Sequence, residues 1–123
     1  MNGIDYLIDT NILIYILQGN PIVRYFAQEE VLAISCITEM EVQGKYNLLE
    51  NEKSIITRVL EKCHIIDINY SIKQLTIQIK QAAKVKLPDA IIAATALQQG
   101  LTLVTADKEF SKIKNLDLLL ISY

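Results

Sequence analysis

The stretch Leu87-Pro88-Asp89-Ala90-Ile91-Ile92-Ala93-Ala94-Thr95-Ala96 constrains the fold of this chain more than any other. A single acid stands at the start of a run that is otherwise almost wholly apolar and rich in alanine. The run is therefore expected to be a helix buried on most sides, with Asp89 as its polar entry point. Proline suits the first helical position, and a carboxylate in the first turn complements the positive helix end. Taken alone, Asp89 needs no further explanation, so the rest of the chain decides whether other acids reach the same place. At 123 residues with 51% hydrophobic content, the chain is long enough for one compact domain, expected to span residues 1–123, and too short to split comfortably.

In chain order, Ile4 to Ile8 is a short apolar run ending abruptly at Asp9, which reads as a buried strand presenting that acid at its carboxyl end. From Thr10, the spacing of Ile12, Leu13, Ile16 and Leu17 is helical until Gly19-Asn20-Pro21 stops it. A second helical piece is expected from Pro21 to about Gln28, then a strand from Val31 to Ile37. Helices are expected from Thr38 to about Leu49, with Gly44 inside at some cost in propensity, and from Ser54 to Lys62. Ile65 to Ile68 reads as a third strand. Between Ser71 and Lys86, a helix should bury Ile72, Leu75, Ile79, Ala82 and Ala83. After the Asp89 helix closes at Gly100 come a strand from Leu101 to Thr105, a short helix near Lys108 to Ile113, and a last strand from about Leu116 to Ile121. Strands alternating with helices imply an α/β fold with a mostly parallel sheet of about five strands, covered on both faces.

Each of the acids Asp9, Glu41, Asp89 and Asp107 has a structural explanation. Asp9 and Asp107 can cap the helices that follow them, Thr38 with Glu41 matches a capping box, and Asp89 sits in a first turn. Together they mean more. In an open parallel sheet the strand ends and following helix starts share one edge, where ligands bind. Carboxylates gathered there repel and raise one another's pKa, and a divalent cation relieves that repulsion. All the donors are oxygens, so Mg²⁺ or Mn²⁺ is favoured over zinc, and the chemistry such an ion serves is phosphodiester hydrolysis by an activated water.

Composition narrows the remaining options. A formal net charge of −2 argues against binding nucleic acid through a general positive field, so any such contact must be local. The two cysteines, Cys36 and Cys63, read as reduced core residues of a cytoplasmic protein. His64, the only histidine, has apolar neighbours and reads as a strand-edge or partly buried residue, not a ligand. The opening Met1-Asn2-Gly3-Ile4-Asp5 lacks the basic and apolar regions of a signal peptide, and no apolar run approaches the roughly 20 residues of a membrane span.

Four segments resemble the PIN-domain family, and within it the VapC-type toxin ribonucleases of toxin–antitoxin pairs. They are Ile8-Asp9-Thr10-Asn11; Ser35-Cys36-Ile37-Thr38-Glu39-Met40-Glu41 with Gly44; Leu87 to Ala96; and Leu103-Val104-Thr105-Ala106-Asp107-Lys108-Glu109-Phe110, in the family's order. The resemblance implies a three-layer fold with a central parallel sheet between helices. It makes Asp9, Glu41, Asp89 and Asp107 the catalytic, metal-binding set, with Asn11 and Thr105 helping to order the site or its water. It further implies Mg²⁺- or Mn²⁺-dependent cleavage of structured RNA such as a tRNA or rRNA loop, a homodimer, and a cognate antitoxin whose tail covers the acidic pocket. No acid is missing that would suggest a degenerate, inactive member.

RNA would have to approach through local cations. Lys73, Lys80, Lys84 and Lys86 precede the Asp89 helix, and Lys108, Lys112 and Lys114 follow Asp107. Tyr15, Tyr25 and Tyr46 can stack a base but read better as core or dimer packing. Two alternatives remain. A phosphoacceptor receiver domain has similar length and an acidic pocket, but needs an acidic pair after the first strand, where Thr10-Asn11 stands, and an acid ending the third, where Asp67 reads as inside the strand run. A catalytically inactive binding module is the other.

Overall fold

The computed structural model describes residues 3–122. Met1 and Asn2, with which the opening stretch begins, lie outside the described residues. The elements run β1 (Tyr6–Ile8), α1 (Thr10–Leu17), α2 (Pro21–Glu29), β2 (Leu32–Ser35), α3 (Cys36–Gln43) and α4 (Glu50–Glu61), then β3 (His64–Ile66), α5 (Tyr70–Ala82), α6 (Leu87–Gln99), β4 (Thr102–Thr105), a 3-10 turn (Lys108–Lys112) and β5 (Leu118–Leu120). The strands form one sheet in the order β3-β2-β1-β4-β5, and every neighbouring pair is parallel. Among the described residues no helix is long and apolar enough to cross a membrane.

Successive strand residues face opposite sides, and the core divides accordingly. Leu7, Ala33 and Leu103 face one side, where they pack with Ile72 and Ile79 of α5 and Ala90, Ile92, Ala93, Ala94 and Ala96 of α6. Ile8, Leu32, Ile34 and Val104 face the other, against Ile12 and Leu13 of α1, Val23 of α2, Val42 of α3 and Ile56 and Leu60 of α4. A sheet covered on both faces by helices leaves no polar face along its strands, which explains why the central strands read as continuous apolar runs.

Helix α6 matches the expectation closely: Ala90 through Ala96 are all buried, Pro88 lies in the first turn, and Gly100 ends the helix with a left-handed φ of 65°. Elsewhere the boundaries differ, and local chemistry accounts for the differences. The expected strand Val31 to Ile37 stops at Ser35, whose hydroxyl accepts from Ile37 N at 3.1 Å and caps α3. Thr38 therefore lies inside α3, and no Thr38/Glu41 capping box forms. Gly44 lies just past the helix and closes it, its N–H donating to Met40 O at 2.8 Å. Helix α4 begins four residues earlier than expected, at Glu50, where Leu49 N–H donates to Glu52 Oε1 at 2.9 Å. Asn69 Oδ1 accepts from Ile72 N at 2.8 Å to start α5, which ends at Ala82, short of Lys86. Thr76 is buried in α5 where Ala82 was expected, and Ala82 is exposed.

Strand β3 ends at Ile66, so Asp67 follows the strand and does not lie within it. That shift removes one objection to a receiver domain, but strand order raises a stronger one. In the receiver-type order 2-1-3-4-5 the third strand lies beside the first, whereas here β3 is at the sheet edge, separated from β1 by β2. His64, at the start of that edge strand, is exposed and not partly buried. Cys36 and Cys63 are free and partly buried. Tyr25 and Tyr46, at 69% and 93% exposure, are not core residues.

Candidate active site

The central strand β1 has β2 on one side and β4 on the other; the chain winds outward from β1 through β2 to β3 and then returns to the other side at β4, a reversal that opens a crevice at the carboxyl edge. Asp9 directly follows β1, α3 with Glu41 directly follows β2, and Asp107 lies two residues beyond the end of β4. Helix α6 runs into the start of β4 through Gly100 and Leu101, so its carboxyl end lies at the opposite edge and its first turn, with Asp89, is directed to the crevice.

Asp9 is buried, at 4% exposure. Its Oδ1 accepts from Ile12 N at 2.9 Å, capping α1, and its Oδ2 accepts a hydrogen bond from the hydroxyl of Thr105. The same hydroxyl oxygen accepts from Asp107 N at 3.0 Å, and Asp107 Oδ1 accepts from Glu109 N at 2.9 Å. Thr105 thus joins the acid after β1 to the acid after β4. Glu41 Oε1 accepts from Thr10 Oγ1 at 2.6 Å, and Thr10 Oγ1 lies 3.0 Å from Thr38 Oγ1. The capping roles read for Asp9 and Asp107 are real, and they fix these carboxylates in place.

Electrostatics links all of the acids. Burial pushes the Asp9 carboxyl up from its ordinary value; the hydrogen bonds from Thr105 and Ile12 N oppose this, and Asp107 adds to it. Burial also raises Asp89, and Asp107, Asp9 and Glu41 each raise it further, against a lowering by Lys86. Coulomb repulsion reaches further than coordination. Among the described residues, no three His, Cys, Asp or Glu side chains are grouped as a ready-made cation cage.

Sequence reasoning located the acids and Thr105, but not the roles of Thr10 and Thr38. Thr38 shares a helical face with Glu41, which in the sequence reads as a capping box, whereas nothing in the sequence pairs Thr10 with either residue. Asn11 is exposed at the second position of α1, and the hydroxyl that reaches Glu41 comes from its neighbour Thr10. Several lysines are engaged elsewhere: Lys112 pairs with Glu109 at 2.6 Å, Lys80 donates to Val85 O at 2.6 Å, and Lys73 lies 5.3 Å from the Tyr70 ring centre. Lys86 is the one whose charge reaches Asp89.

The chain is thus a parallel α/β domain with acids from several elements directed to the central carboxyl edge of its sheet. The family model described as PIN domain matches residues 6–116, and the chain belongs to that family. Among solved structures, a toxin–antitoxin complex from Klebsiella pneumoniae is 34% identical, with a TM-score of 0.79, covering 94% of this chain and 96% of that one. VapBC2 from Rickettsia felis, bound to a DNA fragment from its promoter, is 27% identical with a TM-score of 0.81, covering 95% and 98%. DNA-bound VapBC from Salmonella typhimurium is 25% identical with a TM-score of 0.81, covering 94% and 97%. The comparison with curated proteins gives no match. The resemblance to VapC-type toxins drawn from the four sequence segments is borne out.

Proposed function

We propose that this chain is a metal-dependent endoribonuclease, the toxin of a toxin–antitoxin pair, in which Asp9, Glu41, Asp89 and Asp107 together hold Mg²⁺ or Mn²⁺. The observation that carries this reading is Asp89, a half-buried acid raised first by its burial and then by three other acids that arrive from the ends of β1 and β4 and from α3. Lys86 offsets only part of the repulsion at Asp89, and a divalent cation would relieve the rest. The donors are carboxylate oxygens, hard ligands that suit these ions. Since no three such side chains among the described residues are grouped as a ready-made cage, an ion held there would keep several of its waters and take phosphate oxygens from a substrate. Such an ion, when bound, supplies an activated water and neutralises charge developing on the phosphate.

The chain's own groups do the rest. Thr105 and Ile12 N fix Asp9, and the buried body of α6 holds Asp89 rigidly at the crevice. Lys86, beside Asp89, offers a cation to a backbone phosphate, and the exposed Lys84, Lys108 and Lys114 extend that contact. A groove of about 410 Å³ between α1, α3 and α4, lined by Ile14, Leu17, Leu48 and Ile55, runs up to Glu41, and we assign it to the tail of the antitoxin. The homodimer implied by the family resemblance belongs to the same reading and is tested by sedimentation equilibrium of the purified chain.

The experiment is digestion of total RNA by purified protein with Mg²⁺ or with excess chelator. Cleavage is expected only with the metal. Asp89→Asn should slow it by more than the roughly 10–100-fold that loss of an outer-shell partner costs at metal sites, with an unchanged circular dichroism spectrum. Parent-rate cleavage in chelator or by the variant would contradict the assignment. A parent that binds Mn²⁺ but leaves RNA intact would favour the inactive binding module.

A further inference from the structure

The hydroxyl of Thr10, first residue of α1, stands between two partners. It lies 2.6 Å from Glu41 Oε1 and 3.0 Å from the hydroxyl of Thr38 on α3. The direction of both bonds follows from chemistry. An ionised carboxylate only accepts, so the single Thr10 proton goes to Glu41, and the Thr10 oxygen is left to accept from Thr38. Thr38 is fully buried, at 0% exposure, whereas Glu41 is exposed. A long exposed glutamate side chain is mobile unless something holds it, and here the hold begins in the core and crosses from α3 to α1.

We propose that the chain of hydroxyls from Thr38 through Thr10 is a positioning device that aims the Glu41 carboxylate at the cation shared with Asp9, Asp89 and Asp107. Thr10 and Thr38 are positioning residues and act only through Glu41. The proposal rests on the metal-dependent reading above. A simple tie between α1 and α3 would affect stability alone. A positioning device also affects cation affinity, and does so only while Glu41 keeps its carboxylate.

The probe is Mn²⁺ alone, titrated into the purified full chain and followed by the electron paramagnetic resonance signal of the free ion. Thr10→Val should weaken affinity about 10-fold, the lower end of the cost of losing an outer-shell partner. Thr10→Ser, which keeps the hydroxyl, should restore the parent affinity, and Thr38→Val should weaken it by less than Thr10→Val. In a Glu41→Gln background, Thr10→Val should add nothing further, the signature of residues acting through one another. Equal Mn²⁺ affinity in Thr10→Val and parent, or additive losses with Glu41→Gln, overturns the positioning role while leaving the metal-dependent reading intact. A parent that binds no Mn²⁺ overturns both. Thr38→Val, one bond further from the acid, decides the matter if Thr10→Val does not fold: parent-like affinity in that variant rejects the device.

Discussion

Asp89 is a costly residue for the metal-free protein, and its cost has a sign that can be measured. Its carboxyl is raised above the ordinary 3.8, first by burial and then by Asp107, Asp9 and Glu41. The folded state therefore prefers the protonated acid. The stability this group contributes is complete below pH 3.8 and is lost as pH rises through the raised value. Asp89→Asn should consequently raise the melting temperature of the metal-free protein at pH 7, and the difference should shrink as the pH is lowered toward 3.8. Added Mg²⁺ should stabilise the parent at pH 7 more than the variant. Differential scanning calorimetry with chelator and with Mg²⁺ reads both effects, and a variant less stable than parent at pH 7 without metal would contradict the repulsion. Thr105 makes the opposite case. Its hydroxyl donates to buried Asp9 and accepts from Asp107 N, so Thr105→Val leaves both partners short. A loss of about 1–3 kcal/mol in denaturant unfolding is expected, in the range for unsatisfied buried polar groups; a loss under about 0.5 kcal/mol, the low end for a net hydrogen bond, would contradict the link.

Among the elements, α6 was the most legible and α3 the least, for physical reasons. In α6 the periodic signal is overwhelmed by burial, but Pro88 and Gly100 mark its two ends. Gly100 N–H donates to Leu97 O and Leu101 N–H to Ala96 O, a closure that requires the left-handed backbone at Gly100. Gly100→Ala should cost about 1–2 kcal/mol in unfolding free energy, the penalty of that conformation for an L side chain. The lost stability would be purely conformational, since no atom lies within 4 Å of the new Cβ; an unchanged unfolding midpoint would contradict it. Helix α3 was misplaced because Ser35-Cys36-Ile37 continues an apolar run, and strand and helix cannot be separated there by hydrophobicity. One serine side chain decides the boundary by capping the helix. The sequence showed which acids were present and that strands preceded three of them, but not the hydroxyls of Thr10 and Thr38. Their bonds join α1 to α3, and such pairings across the fold leave no local pattern.

At the scale of the whole molecule, strand order does what no single residue does. Placing β1 between β2 and β4 brings Asp9, the start of α3 and the segment after β4 to one crevice, and α6 adds Asp89 from its own end. On the proposed function, the net charge of −2 leaves the approach of RNA to local cations near that crevice, Lys86 first among them. In the proposed function the four acids work as one unit, which RNA cleavage with Mg²⁺ tests in the separate variants Asp9→Asn, Glu41→Gln, Asp89→Asn and Asp107→Asn. Each folded variant is predicted to lose cleavage by more than roughly 10–100-fold, with pairs of substitutions losing little beyond either alone. A single folded variant of the set that cuts at the parent rate would show that the four acids do not act as one unit.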